Sequence, residues 1–210
     1  MLKPIFITGT GTDVGKTLVS AIVTESIEAD YWKPVQAGYT DGTDSLFVEK
    51  MISNQYTKIH PELYKLKLPA SPHLAAPAEG KEITAREIVA RLPVTSNQLI
   101  IEGAGGLLVP LNQQETILTL IKKLNAKVII VSRNELGSIN HSLLTAAVLS
   151  HEKIDVAGWI FTDEYMHYEN EIAHWSGFRL LGRVKHLSVI SKETIKEQAL
   201  KLHPMLKSIL

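Results

Sequence analysis

Residues 5–17 read Ile-Phe-Ile-Thr-Gly-Thr-Gly-Thr-Asp-Val-Gly-Lys-Thr, an apolar run that enters a loop of glycine and threonine and ends in Gly15-Lys16-Thr17. A helix-compatible stretch follows from Leu18 to Ile27. Strand, small-residue loop and helix in this order suit the first βα unit of a parallel sheet, with the loop at the strand's carboxyl end. Small residues let backbone N–H groups turn inward around a polyphosphate. Lys16 then reaches the β- and γ-phosphates, the Thr17 hydroxyl can ligate Mg²⁺, and the helix points its positive end at the same anion. The loop therefore predicts a nucleoside triphosphate site built from Gly11, Thr12, Asp13, Val14, Gly15, Lys16 and Thr17. Its spelling is a variant: the pattern Gly-x-x-x-x-Gly-Lys would place the first glycine where this chain has Thr10, between Gly9 and Gly11.

The rest of the chain fits that start. Apolar runs at 4–8, 98–101, 127–132 and 156–161 are continuous rather than alternating, as in strands covered on both faces. Shorter strands are expected at 31–35 and 180–184, with helices at 15–29, 44–52, 85–91, 117–124, 140–151 and 168–174. The alternation predicts an α/β fold: a doubly wound, mostly parallel sheet with helices on both faces, of the P-loop NTPase type. Residues 61–80, rich in Pro and Ala, read as an irregular excursion, and 190–210 as one or two closing amphipathic helices. With 210 residues, one P-loop domain over 1–210 is the expected count.

Composition narrows the chemistry. Formal net charge is zero, so no global field draws nucleic acid or an anionic membrane, and anion binding must be local. The absence of cysteine excludes disulfides, thiolate metal sites and a cysteine nucleophile. No apolar run approaches the roughly 18 residues that span a bilayer. A cytoplasmic protein with small-molecule partners, and neither nucleic-acid nor membrane partners, is expected.

Ligands of such sheets bind at the carboxyl ends of the strands, and polar residues gather at those positions. Glu102 follows an apolar strand and opens Gly103-Ala104-Gly105-Gly106; beside Thr17 it can hold Mg²⁺ directly or through water. Asp44 is a second carboxylate for the metal or, alternatively, a helix cap. Asp13 can orient the metal or lie on the loop surface. Lys33 can neutralise a phosphoryl group in flight or extend along the surface. Ser138, Ile139 and Asn140 open a helix whose free N–H groups suit a carboxylate. Ser71-Pro72-His73 is a distinctive turn with no chemistry legible in it.

Taken in order, these motifs resemble the dethiobiotin synthetase family over residues 4 to about 163: the variant loop Gly9–Thr17, Lys33-Pro34-Val35, the Asp44 region, Ser71-Pro72-His73, Glu102–Gly106, Leu136–His141 and Ala157-Gly158-Trp159. The resemblance implies a ligase that takes 7,8-diaminononanoate, CO₂ and Mg·ATP. One amine captures CO₂ as a carbamate, ATP phosphorylates it to a carbamic–phosphoric anhydride, and the other amine closes the urea ring. It implies catalytic roles for Thr12, Lys16 and Lys33. Metal contacts are implied for Thr17, Asp44 and Glu102. Substrate contacts are implied for Lys33, Ala37, Ser138, Ile139 and Asn140, and nucleotide contacts for Thr162 and Asp163. It further implies a homodimer with active sites near the interface. Three positions depart from the family pattern. Ala37 stands where a hydroxyl is usual, with Gln36 beside it or a water as the stand-in. Thr162 stands where an asparagine reads adenine, which predicts loosened nucleotide selectivity. Lys185 stands where Leu-Gly-x-Ile-Pro ends in proline.

Overall fold

The computed structural model describes residues 2–209. Its main sheet contains β1 (Ile5–Gly9), β2 (Asp30–Trp32), β4 (Ile59–His60), β6 (Leu99–Gly106), β7 (Lys127–Arg133), β8 (Val156–Thr162) and β9 (Leu180–Val184). The order is β4-β2-β6-β1-β7-β8-β9, and every neighbouring pair is parallel. β1 thus lies in the middle, and the loop that follows it emerges between the ends of β6 and β7. Along β1 the side chains alternate between two cores: Phe6 enters one, Ile5 and Ile7 the other.

The second core is covered by α1 (Lys16–Ile27), α2 (Asp44–Met51) and α8 (Lys192–Lys207), through Val19, Ile22, Val23, Val48, Ile195, Ala199 and Leu202. The first is covered by α4 (Ala85–Ala90), α5 (Ile117–Leu124), α6 (Ser138–His151) and α7 (Glu169–Ser176), through Ile88, Leu120, Ile121, Ala146, Leu149 and Ile172. Helices on both faces make the sheet doubly wound, as the alternation of patterns predicts.

Four expectations need correction. The strand expected at 31–35 is two strands in two sheets. Pro34 has no N–H to donate to a ladder. The chain therefore leaves β2 at Lys33 and re-forms as β3 (Val35–Ala37), paired with β5 (Tyr64–Leu66) in a separate parallel ribbon. The stretch 61–80 is not irregular: it holds β5, a short helix α3 (Pro72–Ala75) and a 3₁₀ turn at Pro77–Glu79. The Pro34 carbonyl anchors it by accepting from the N–H groups of Leu63 and Tyr64. β6 runs past residue 101 to Gly106, so Glu102 lies within a strand rather than beyond its end. α6 begins at Ser138, two residues before the expected start, because Gly137 takes φ 93° and turns the chain into the helix. The closing segment is one helix, α8; residue 210 lies outside the described residues.

Candidate active site

The phosphate loop is held at both ends. The Thr10 N–H donates to the Val131 carbonyl at 3.0 Å, which fastens the loop's start to β7. At its end Gly15 takes φ 87°, a left-handed turn that favours glycine, and serves as the N-cap of α1. A Cβ at Gly9 would lie 2.6 Å from Val14 Cγ2, so the loop folds back onto the strand only with glycine there. Lys16 is buried behind this turn, and its Nζ donates to the Gly11 carbonyl at 2.7 Å. Burial lowers the Lys16 ammonium to about 8, against the opposing charge of Glu102. A lysine so placed lacks an anion strong enough to offset its desolvation, which a polyphosphate would supply.

Beside the loop, one carboxylate gathers three groups. Glu102 Oε1 accepts from the Thr17 hydroxyl at 3.0 Å and from Lys33 Nζ at 2.9 Å. Its Oε2 accepts from the Tyr31 hydroxyl at 2.8 Å. Lys33 Nζ also pairs with Asp44 Oδ2. Burial by itself would push Glu102 up; the charge of Lys33 and hydrogen bonds from Lys33 and Tyr31 outweigh it and hold the carboxyl below its usual range. Burial would likewise lower Lys33, but Glu102 and Asp44 raise it, so it remains an ammonium. Tyr31 is pushed well above its usual value by burial and by the neighbouring charge, and stays a hydrogen-bond donor.

The geometry decides some alternatives left open by the sequence. Thr43 caps α2, accepting from the Leu46 N–H at 3.2 Å, so the Asp44 carboxylate is not the cap and turns to Lys33. Lys33 is buried between two carboxylates rather than extended along the surface. Gln36, the expected stand-in for a hydroxyl at position 37, lines the site and is tied to its neighbours. Its Oε1 accepts from the Asp44 N–H at 3.1 Å and its Nε2 donates to the Gly38 carbonyl at 2.8 Å. Both ends of the amide are engaged, and Gln36 holds the start of α2 in place.

A cavity of about 620 Å³ opens over these groups. Thr12, Asp13, Gly15, Lys16, Thr17, Lys33, Ala37, Asp44 and Glu102 all line it, together with Gly105 and Ser71. Ser71 reaches it from the excursion, with His73 Nδ1 2.9 Å from its Oγ. Two groups of expected residues lie elsewhere. Thr162 and Asp163 flank the loop on its β8 side. The Thr162 hydroxyl donates to the Val14 carbonyl at 3.0 Å, and its Cγ2 would be 2.8 Å from a Cβ at Gly15. The Asp163 carboxylate accepts from Arg133 Nε at 2.5 Å. Ser138, Ile139 and Asn140 open α6 without lining the cavity. Ser138 is buried with its Oγ 2.6 Å from the Tyr168 hydroxyl, and Asn140 is exposed. Tyr31 is the site residue that the sequence reading misses; it looks like one more apolar strand residue.

The donors fit a magnesium ion. The Thr17 hydroxyl and the Glu102 and Asp44 carboxylates, all hard oxygen ligands, are joined through Glu102 Oε1 and the Lys33 ammonium. No group of three or more His, Cys, Asp and Glu side chains forms a metal cage among the described residues. None of the described helices is long and apolar enough to cross a membrane.

A family profile described as an AAA domain matches residues 3–194. The ATP-dependent dethiobiotin synthetase BioD of Cytophaga hutchinsonii is 47% identical over 203 residues, 96% of this chain and 97% of that protein. The protein of the same name from Christiangramia forsetii is 44% identical over 210 residues, the full length of both. Among solved structures, the cell division ATPase MinD of Pyrococcus furiosus superposes with a TM-score of 0.65 at 12% identity, covering all of both chains. The septum site-determining protein MinD of Pyrococcus horikoshii OT3, complexed with Mg-ADP, gives 0.61 at 16%, covering 100% of this chain and 95% of that one. At such identities the likeness bears on the fold alone, and it agrees with the parallel P-loop sheet. Full-length identity above two-fifths is a different matter, and by it the chain belongs to the ATP-dependent dethiobiotin synthetase family.

Proposed function

We propose that this chain is an ATP-dependent ligase that makes dethiobiotin from 7,8-diaminononanoate and CO₂ in the cavity beside the phosphate loop. The observation that carries the reading is the convergence of Lys16, Lys33, Thr17, Asp44 and Glu102 on one 620 Å³ cavity. Family membership supplies the substrates and these residues supply the means. The reaction joins oxyanions: a carbamate oxygen attacks the γ-phosphorus, ADP leaves, and the second amine then attacks the carbamate carbon and expels phosphate. Charge neutralisation and alignment matter more than a base in such a transfer. Lys16, buried and short of an anion, binds the triphosphate. Lys33, linked to Thr17 through Glu102 Oε1, lines the same cavity, where it can meet the carbamate and the phosphoryl group. Thr12 and the loop N–H groups line the path between them. Magnesium, when bound by Thr17, Glu102 and Asp44, would add positive charge at the phosphates.

The helix opening at Ser138–Asn140 completes the reading through a second copy. It does not line the cavity of its own chain, yet Leu136 and Leu144 beside it are 88% and 58% exposed. We assign it to the substrate carboxylate in the partner's cavity, which requires a homodimer. We read the whole chain as one domain, because one seven-stranded sheet draws on strands from β1 to β9 and α8 returns to pack on α1. We infer a cytoplasmic location, where ATP for this reaction is supplied.

ADP release by the purified protein with Mg·ATP and bicarbonate tests the function. Release should depend on 7,8-diaminononanoate and should vanish in Lys16→Ala. Hydrolysis indifferent to the diamine would point instead to a switch ATPase, and nucleotide binding without turnover to a relative that only binds.

A further inference from the structure

Tyr31 has a side chain whose two ends do different things. Its ring lies wholly within the core shared by β1, β2, β6 and α1. Its hydroxyl makes one hydrogen bond among the described residues, to Glu102 Oε2 at 2.8 Å. The register explains the reach. Tyr31 pairs with Ile100 on β6, and Glu102 is two residues further along the same strand, hence on the same face. An aromatic side chain leaning along the strand spans that diagonal. Packing needs only the ring, because phenylalanine would fill the same space. The hydroxyl answers to Glu102 alone.

The two oxygens of Glu102 are thereby divided. Oε1 faces the cavity, where Thr17 and Lys33 contact it; Oε2 faces the core, where Tyr31 contacts it. On the reading given above, Thr17 and Lys33 turn to the metal, the phosphates and the carbamate during turnover. Tyr31 touches none of these, and it is the contact that keeps the carboxylate plane fixed while the others exchange partners. We infer that Tyr31 is a positioning residue which holds Glu102 with Oε1 presented to the magnesium ion. Buried partners that orient a ligating carboxylate typically tune metal affinity by about ten- to hundredfold.

This inference rests on the assignment of Glu102 to the metal, so its test must separate the two. Mn²⁺ affinity would be measured by electron paramagnetic resonance with AMP-PNP bound, and AMP-PNP affinity would be measured without metal. The parent, Tyr31→Phe, Glu102→Gln and the double variant would be compared, with thermal unfolding of each. Tyr31→Phe should weaken Mn²⁺ by about tenfold or more and leave metal-free nucleotide affinity unchanged. In the Glu102→Gln background the same change should add less than about twofold, since it acts through that carboxylate. Tyr31→Leu also lacks the hydroxyl, and its loss of Mn²⁺ affinity should vanish in the Glu102→Gln background too. Full Mn²⁺ affinity in Tyr31→Phe, or an equal loss with Gln at 102, would overturn the inference while leaving the metal site standing. Full affinity in Glu102→Gln would overturn the metal assignment and this inference with it.

Discussion

At the residue scale, the site is organised by compensation of buried charge. Lys33 sits between Glu102 and Asp44, and its ammonium is raised by them in spite of burial. Among the described residues Lys16 has no such pair at hydrogen-bond distance; it donates to a neutral carbonyl and is lowered to about 8. The difference gives the two lysines different pH behaviour. Without nucleotide, Lys16 loses its proton as pH rises through about 8. A triphosphate bound against it favours the ammonium and raises its value again. Nucleotide binding should therefore take up a proton above pH 8 and almost none near neutrality, where Lys16 is already charged. Isothermal titration in buffers of differing ionisation enthalpy measures this uptake directly. In Lys16→Met the uptake should disappear, and an unchanged uptake would show that another group carries it.

At the element scale, what matters is how the loop and the sheet edges are tied. Thr162 at the end of β8 fastens the loop at Val14, and only its hydroxyl does so. Thr162→Val keeps the shape but leaves the Val14 carbonyl without this donor. It should cost about 1–3 kcal/mol of stability in urea unfolding and weaken nucleotide binding several-fold as the loop loosens. At the opposite end of the sheet, Asp30 opens β2. It accepts from the Lys58 N–H at 3.1 Å and from Asn97 Nδ2 at 2.9 Å, and it lies 3.0 Å from His60 Nε2 on β4. Burial would raise its carboxyl, but hydrogen bonds from Asn97, Thr95, Lys58 and His60 bring it below its ordinary value. A carboxyl lowered on folding contributes its stability above its unfolded value of about 4. That contribution is lost as pH falls through the lower folded value. Asp30→Asn should lower stability at neutral pH and make the acid limb of a pH–stability curve shallower; an unaltered limb would assign acid sensitivity elsewhere. The elements legible in the sequence are those with long runs. β7 has a continuous run of Val and Ile, β8 a run of apolar residues broken only by Gly158, and α5 carries its apolar residues on one face. β4 and β5 have two and three residues, too few for any period, and they form because Tyr31, Trp32 and Val35–Ala37 pair with them. The end of β6 escapes for another reason: Gly103–Gly106 carries no hydrophobic signal, though it continues the ladder to Gly9. Thr17, Lys33 and Glu102 are legible as strand-end and loop chemistry. Tyr31 is not, because a hydroxyl reaching across two strands leaves no trace in spacing.

At the scale of the whole molecule, the cavity is open on one side and the residues expected to hold the substrate carboxylate are absent from it. α6 turns Ala146 and Leu149 to the core, while on its outer side Leu144 stands exposed beside Asn140 and His141, with exposed Leu136 just before the helix. Two large leucines exposed next to a helix start, with polar residues around them, suit a surface that a partner covers. If that partner is a second copy, as we propose, the interface and the substrate site are the same surface, and they should fail together. Leu136→Asp with Leu144→Asp places two charges where apolar contact is needed and touches neither core nor phosphate loop. Sedimentation of this variant should show a monomer where the parent sediments as a dimer. Its affinity for Mg·ATP should stay near that of the parent, since the loop, Lys33 and Glu102 belong to one chain. Its KM for the diamine should rise by at least about tenfold if two buried leucines, each worth roughly 2 kcal/mol, hold the copies together. A monomer with unaltered diamine kinetics would show that one chain suffices, and Ser138–Asn140 would then have no part in the substrate site.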